Sequence, residues 1–571
     1  MAAVFDLHFH PLAKRFLHEF DDEKRQNGAY ADPLRIPLIG QVADAAVGFI
    51  LETQASIAQA VKGEYRLGVA AIVSTEYVFA SRKGVLKLLE YELFERDLFA
   101  PLDNRLFDFI NESQGSYHQL FAKELQFYKW AAGLLPLTKP ETIIINLVNR
   151  KAAGGARFEA GKLNLLLAVE GGHNFCELRI NEAMAIPHPA RLIRKYREDK
   201  SVDFLYLTLT HLSHVQEQCL CSHAFGFKLV KDIPEARPQA DGLTDLGKQV
   251  INACINTNTN QAPILIDIKH MSLQGRRDFY AYRKTLLHDP PADFTPPSLN
   301  EKPLWPIVAT HMGVTGYDSR DLGNFIKEYG VEEGNEHSIR VKLSRQMAGV
   351  LPVGLGFSQV FFNPATINLC NDDITEIALS DGLIGISLDA RILGFDIIIQ
   401  RRYTVVDYFS KGDFARFFPE LAQRLNYLEP EPDEADHADE PVFLSAHEGR
   451  FQGLAGRITR ETYLFCLNVL HIVAVINRLP LAERHNRDGW DFVCLGTDYD
   501  GLIDSIKAAR TAESLPAFKK ELVHYLTKAE KAYRETFTGT PSLLTENVEV
   551  VLDKLFYTNG ENFIKRWWGM V

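Results

Sequence analysis

The chain reads as an α/β protein, a (β/α)8 TIM-type barrel with large, mainly helical insertions. Three observations predict this. Apolar runs of strand length alternate with segments of helical spacing eight times along the 571 residues. Six of the eight runs finish in His, Glu or Asp, as expected where a barrel gathers polar side chains on its C-terminal rim. No internal repeat and no domain-sized linker interrupts the alternation, so a single domain over 1–571 is expected.

Ala3–His10 (AVFDLHFH) is a short strand whose period of two puts His8 and His10 on one face. Leu67–Phe79 is the second strand. Residues 84–134 carry Leu, Phe, Glu and Lys at helical spacing and predict two helices, and Ile143–Val148 an accessory strand. The third core strand, Leu163–Gly171, runs through LLLAVEGGH. Its apolar residues suit a strand buried on both faces, and Glu170 at its tip needs a cation or partner. Gly171 and Gly172 allow a tight turn and a close approach by another group.

Phe204–His211, Pro263–His270 and Pro306–His311 are strands four to six, each ending in His. Leu383–Leu388 is the seventh. Phe492–Asp498 is the eighth and ends in Asp. Helices are expected over Pro189–Arg197, Thr244–Asn258, Gln274–Leu287, Asp372–Leu379 and Thr459–Arg478. Three stretches exceed a minimal barrel, approximately 11–64, 320–370 and 395–458. Within the last, Leu428–Val442 is rich in Asp, Glu and Pro and reads as a solvated loop.

Composition narrows the function classes. A net charge of −12 argues against a nucleic-acid or anionic-membrane partner. The run Val469–Ile476 is too short to span a bilayer, and no targeting segment is visible. Seven scattered cysteines suit reduced thiols, so a cytoplasmic location is expected. A homo-oligomer is left open.

The rim offers His8, His10, Glu170, His270, His311 and Asp498. This set suits two divalent, zinc-like ions with Glu170 as a shared carboxylate. Asp498 can touch a metal, and it can also accept a proton from the attacking water. His211 can donate to a developing oxyanion, and His173 and Asp500 can orient ligands. Singly, a strand-end His or Glu is more often structural; all six together at strand ends are hard to explain that way. His214, Cys219, Cys221 and His223 form a further cluster, but Cys-x-Cys spacing suits one tetrahedral ion poorly, and a rim loop with buried thiols is expected.

VEGGH at 169–173, YLTLTH at 206–211, GLTDLG at 242–247, LIDIKHMS at 265–272, ATH at 309–311, LGTDYDG at 495–501 and the tail NGENFIKRWW resemble, in this order, the membrane (renal) dipeptidase family of the amidohydrolase superfamily. The resemblance implies a barrel with two zinc ions. Glu170 would bridge them, His8 and His10 would bind the first, and His270 and His311 the second. His211 would bind the scissile group, and Asp498 would handle the proton. The family has His-x-Asp where this chain has His8-Phe9-His10, which makes the site more positive. It also holds the substrate carboxylate with an arginine after the sixth-strand His, and Arg320 is the nearest match. The usual Asn-Thr-Pro-Trp after His211 is absent.

The expectation is therefore a metal-dependent hydrolase. It would cleave an amide or peptide bond of a small substrate, such as a dipeptide, with metal-bound hydroxide. A lactonase, phosphotriesterase or deaminase reaction, or a non-catalytic binding barrel, are the alternatives.

Overall fold

The structure is a computed structural model. It describes residues 3–20, 30–34, 52–80, 103–111, 116–135, 139–152, 155–177, 188–226, 234–257, 262–299, 302–332, 335–353, 356–396, 404–428 and 454–568. The acidic stretch 429–442, residues 21–29 and 35–51 of the 11–64 insertion, and 84–102 of the predicted helices lie outside the described residues.

Eight parallel strands close on themselves. They are β1 (Val4–Phe9), β2 (Tyr65–Ile72), β3 (Leu163–Val169), β4 (Phe204–Thr208), β5 (Leu265–Asp267), β6 (Val308–Met312), β7 (Leu383–Ile386) and β8 (Val493–Leu495). Each pairs with the next, and β8 returns to β1. The accessory strand Ile145–Leu147 adds to the start of β3. Helices between the strands include Pro189–Glu198, Asp245–Ile255, Leu273–His288, Asn371–Leu379 and Leu454–Asn477. Thr244 and Ser272 start two of them, each accepting from the backbone N–H three residues on.

The strands are apolar on both faces because helices cover the outside and side chains fill the barrel. Two buried carboxylates lock that interior. Asp6 accepts from Thr497 N, Thr497 Oγ1 and Tyr65 Oη. Asp267 accepts from the hydroxyls of Thr208 and Thr310.

Two insertions differ from the helical expectation. Residues 326–332, 338–344 and 404–410 pair antiparallel, and 347–353, 356–361 and 395–396 form a second antiparallel sheet. Stretches 320–370 and 395–428 are thus mainly β: the first sheet, with short helices at Lys411–Phe417 and Pro419–Ala422, forms a unit with its own core, while Ala348, Leu351 and Val360 of the second pack into the barrel's core. Ile339, Val341 and Leu343 alternate into the unit's core beside Phe409 and Phe414, which is strand periodicity. Asp413 fastens the unit to the barrel rim, accepting from Gly242 N at 2.8 Å and Ser272 Oγ at 2.9 Å.

The segment Ile458–Asn477 is long and apolar enough to cross a membrane by length and composition, but 89% of its apolar window is buried within the fold. All seven cysteines are free.

Candidate metal centre

Each barrel strand delivers one or two polar groups to the same end of the barrel. The pleat of β1 sends His8 and, one residue past its end, His10 to one side, and both are fully buried. Glu170 follows β3, with its N–H on Ile72 O. At Gly171 φ is +86°, and a Cβ there would sit 2.2 Å from His173 Nδ1, so only glycine allows the turn behind Glu170. His270 and Asp498 adopt left-handed backbones (φ +66° and +62°), a conformation costly for non-glycine residues and commonest at functional sites.

The donor atoms converge. His10 Nε2 lies 3.2 Å from Glu170 Oε2, and His8, His270, His311 and His211 place Nε2 3.4, 3.3, 3.5 and 3.6 Å from Glu170 Oε1. Asp498 Oδ1 is 3.7 Å from His8 and 3.6 Å from His10. Donors held about 2.0–2.1 Å from one tetrahedral ion lie roughly 3.3–3.4 Å from each other, and this cluster has that spacing. Two sets could each hold an ion, His8–Glu170–His311–Asp498 and Glu170–His211–His270, with Glu170 common to both. The grouping differs from the sequence expectation: His311 joins His8, and His211 joins His270.

The outer nitrogens explain which way the inner ones face. His10 Nδ1 donates to Ala71 O at 3.0 Å. The Tyr206 hydroxyl donates to Leu7 O, so its oxygen accepts from His8 Nδ1 at 2.7 Å. The Thr310 hydroxyl donates to Asp267, so it accepts from His311 Nδ1 at 2.9 Å. With Nδ1 protonated, Nε2 of His8, His10 and His311 carries a bare lone pair. Yet His8 and His10 are 3.2 Å apart through Nε2, as are His270 and His311. Bare lone pairs at that distance, beside two carboxylates, call for a cation among them.

A proton competes with a metal ion for the His10 lone pair. Burial works against a charged His10, but Asp498 and Glu170 outweigh it and hold its proton affinity well above that of a free histidine. Burial likewise opposes a charged Glu170, but His8 and His211 keep it ionised, well below the usual carboxylate range. Burial, then the His211 charge, drives His270 down to about 3, so it stays neutral.

The centre opens into a cavity of about 150 Å³. His10, Glu170, His211, His270, His311, Asp498 and Asp500 line it. Asp500 does not reach a donor atom of the cluster; it accepts from Gln54 N and Ala55 N and pairs with Lys14 at 3.1 Å. His173 stands behind His211, their rings stacked at 5.9 Å, with Nε2 on Ser74 O. Arg320 is not brought to the site. Its side chain is 79% exposed beside Asp318, because residues 319–325 form a surface turn leading into the β unit. His214, Cys219, Cys221 and His223 form no metal-holding group among the described residues; Cys221 is bridged to Leu243, and His223 donates to Ala236 O.

Glu76 and Arg391 escaped the sequence reading, and Lys269, read there as pairing with Asp267 or facing the helical layer, lies against the cavity. Glu76, past β2, is 2.9 Å from His211 Nδ1 and outside every motif. Arg391, after β7, also lines the cavity.

No family model matches the chain, and no curated protein matches it in sequence. Its structural neighbours are dipeptidase-like metallopeptidases and amidohydrolases. Dipeptidase AC, a metallopeptidase of family M19, is 14% identical, covers 100% of this chain and 99% of its own, and has a TM-score of 0.42. A metallopeptidase from Rhodobacter sphaeroides, solved with a phosphinate mimic of the dipeptide L-Ala-D-Ala, is 13% identical over 99% of both chains, with a TM-score of 0.41. The probable dipeptidase PvdM from Pseudomonas aeruginosa is 12% identical over 99% of this chain and 94% of its own, at 0.43. The fold here is established by the strand pairing itself, a closed parallel eight-stranded barrel whose rim holds a buried histidine–carboxylate centre.

Proposed function

We propose that the chain is a metal-dependent hydrolase acting on an amide or peptide bond of a small substrate, in the manner of a dipeptidase. The observation that carries this is the convergence of three bare imidazole nitrogens on Glu170 and Asp498. The resemblance of the rim motifs to the dipeptidase family favours amide bonds over esters. Two divalent ions, zinc by the nature of the donors, would polarise a carbonyl and lower the pKa of water toward ~7.

The chain's own residues supply the rest. Glu170 touches both donor sets and holds them at fixed spacing. Asp498, its carboxyl pushed up by burial, takes a proton from water and returns it to the leaving amine. His211 gives Nδ1–H to Glu76. That bond leaves the Nε2 lone pair facing Glu170 and His270, where it would help to hold the second ion. Phe16, Phe79, Leu212 and Ile392 wall the cavity against water.

The test is hydrolysis of a dipeptide panel, a lactone and a phosphotriester by the same protein before and after chelation. Dipeptide cleavage lost on chelation and regained with zinc supports the reading. Chelator-sensitive cleavage of the lactone or phosphotriester alone moves the chemistry within the superfamily. No turnover of any substrate favours a binding barrel.

A further inference from the structure

We propose that Gln54, from the segment inserted between β1 and β2, is a positioning residue that holds the turn carrying Asp498 where its carboxylate meets the first donor set. This rests on the hydrolase reading and adds to it a residue that no rim motif contains. The turn follows β8 and runs from Asp498 to Leu502. Asp498, Asp500 and Leu502 all have left-handed backbones, with φ of +62°, +67° and +64°. Three such non-glycine residues in five positions persist only where surrounding contacts over-determine them. The turn also curls back on the carboxylate it presents, since a Cβ at Gly501 would lie 2.1 Å from Asp498 Oδ1.

Gln54 supplies those contacts. It is buried, at 2% exposure. Its backbone N–H donates to Asp500 Oδ1 at 2.8 Å, and its Oε1 accepts from the Asp500 backbone N–H at 3.0 Å, a reciprocal pair. Its Nε2 donates to Ile503 O at 3.0 Å. One side-chain amide thus spans the turn from Asp500 to Ile503. The next residue, Ala55, donates its N–H to the other oxygen of Asp500 at 3.1 Å. Lys14, four residues past His10, closes the arrangement by pairing with Asp500 at 3.1 Å and donating to Glu52 O.

The turn serves one donor set and not the other. Asp498 Oδ1 faces His8 at 3.7 Å and His10 at 3.6 Å, and Oδ2 faces His311 at 3.9 Å. The set Glu170–His211–His270 takes no residue from the turn. Slack in the turn would therefore reach one ion and the proton-accepting carboxylate, and would leave the other ion in place. An amide that only stabilised the fold would not discriminate in this way. Gln59 provides the contrast. It is also buried, and both ends of its side chain bond within the inserted segment, to Ser56 N and Thr53 O.

The experiment compares Q54L and Q59L with wild type after zinc loading. Zinc per chain is measured after dialysis against a weak chelator, beside thermal unfolding and kcat and KM on a cleaved dipeptide. Wild type should keep two ions. Q54L should keep one, with kcat down about 10–100-fold and KM within about threefold. Q59L should unfold at a lower temperature yet keep both ions and its kcat. The proposal is overturned if Q54L keeps both ions and a wild-type kcat, or if it loses both ions together. It is also overturned if Q59L shows the same zinc and kcat losses as Q54L, which marks a structural role. If Q54L does not fold, Q54N replaces it under the same criteria, because the shorter amide cannot span Asp500 and Ile503; failure of both to fold also overturns the proposal. A wild type that binds zinc but cleaves no dipeptide moves the reaction, and the zinc count still decides the role of Gln54. A wild type that holds no zinc sinks the hydrolase reading and the role of Gln54 with it, whereas two ions in wild type and an unchanged Q54L overturn the role of Gln54 alone.

Discussion

Glu76 Oε2 lies 2.9 Å from Nδ1 of His211, and Ser213 donates to the other oxygen of Glu76. The pair fixes the ring so that Nε2 faces Glu170. Burial opposes an ionised Glu76, but the His211 charge overcomes it and holds the carboxyl down at about 2. Glu76→Gln keeps the shape and removes the charge. We expect about a 10–100-fold fall in kcat/KM, the range typical of losing a partner behind a metal-site histidine, with the unfolding temperature little changed. Steady-state kinetics on a cleaved dipeptide checks this.

Gly496 packs against the strand that carries His311. A Cβ at Gly496 would lie 1.7 Å from Thr310 O, a backbone atom with no room to yield. Gly496→Ala should therefore displace β6 and His311 together, costing on the order of 1–3 kcal/mol through overpacking and lowering metal content. Chemical denaturation and metal analysis on one preparation measure both effects.

Asp413 ties the β unit to Ser272, two residues beyond His270. Burial raises its carboxyl to about 7 from an ordinary 3.8. The folded protein then holds this proton more tightly than the unfolded chain. That stability is full below about pH 4 and fades as pH rises through 7, by a few kcal/mol at most. Asp413→Asn should flatten the slope of stability against pH between 4 and 7. Urea unfolding at several pH values tests it, and an unchanged slope would refute it.

Arg320 points to solvent, so Arg320→Ala should leave kcat/KM within about twofold of wild type, as for surface changes away from a site. A loss of tenfold or more in KM would return it to the substrate.

Much of this was legible in the sequence. The barrel strands are apolar runs of strand length, and the cluster residues follow them at their ends, where chain order and rim position coincide. His8, Glu170, His270 and His311 could therefore be read without contacts. Glu76 could not, since it lies in a loop and acts only through His211, 135 residues away. Lys269 shares the period of two with Asp267 and so faces inward, which removes the reading that it faces the helical layer. The β unit was missed because SIRVKLS and TVVDYFS have strand alternation but pair across a gap of about 60 residues, which no local pattern reveals. Arg320 was misplaced because spacing from His311 cannot foresee the surface turn after β6.

Metal content per chain, compared between wild type and Glu170→Gln after zinc reconstitution and dialysis, tests the central claim most directly. The account predicts close to two ions in wild type and a large loss in the variant, because one carboxylate serves both sets. Wild type without bound metal, or a variant that keeps both ions, would contradict it.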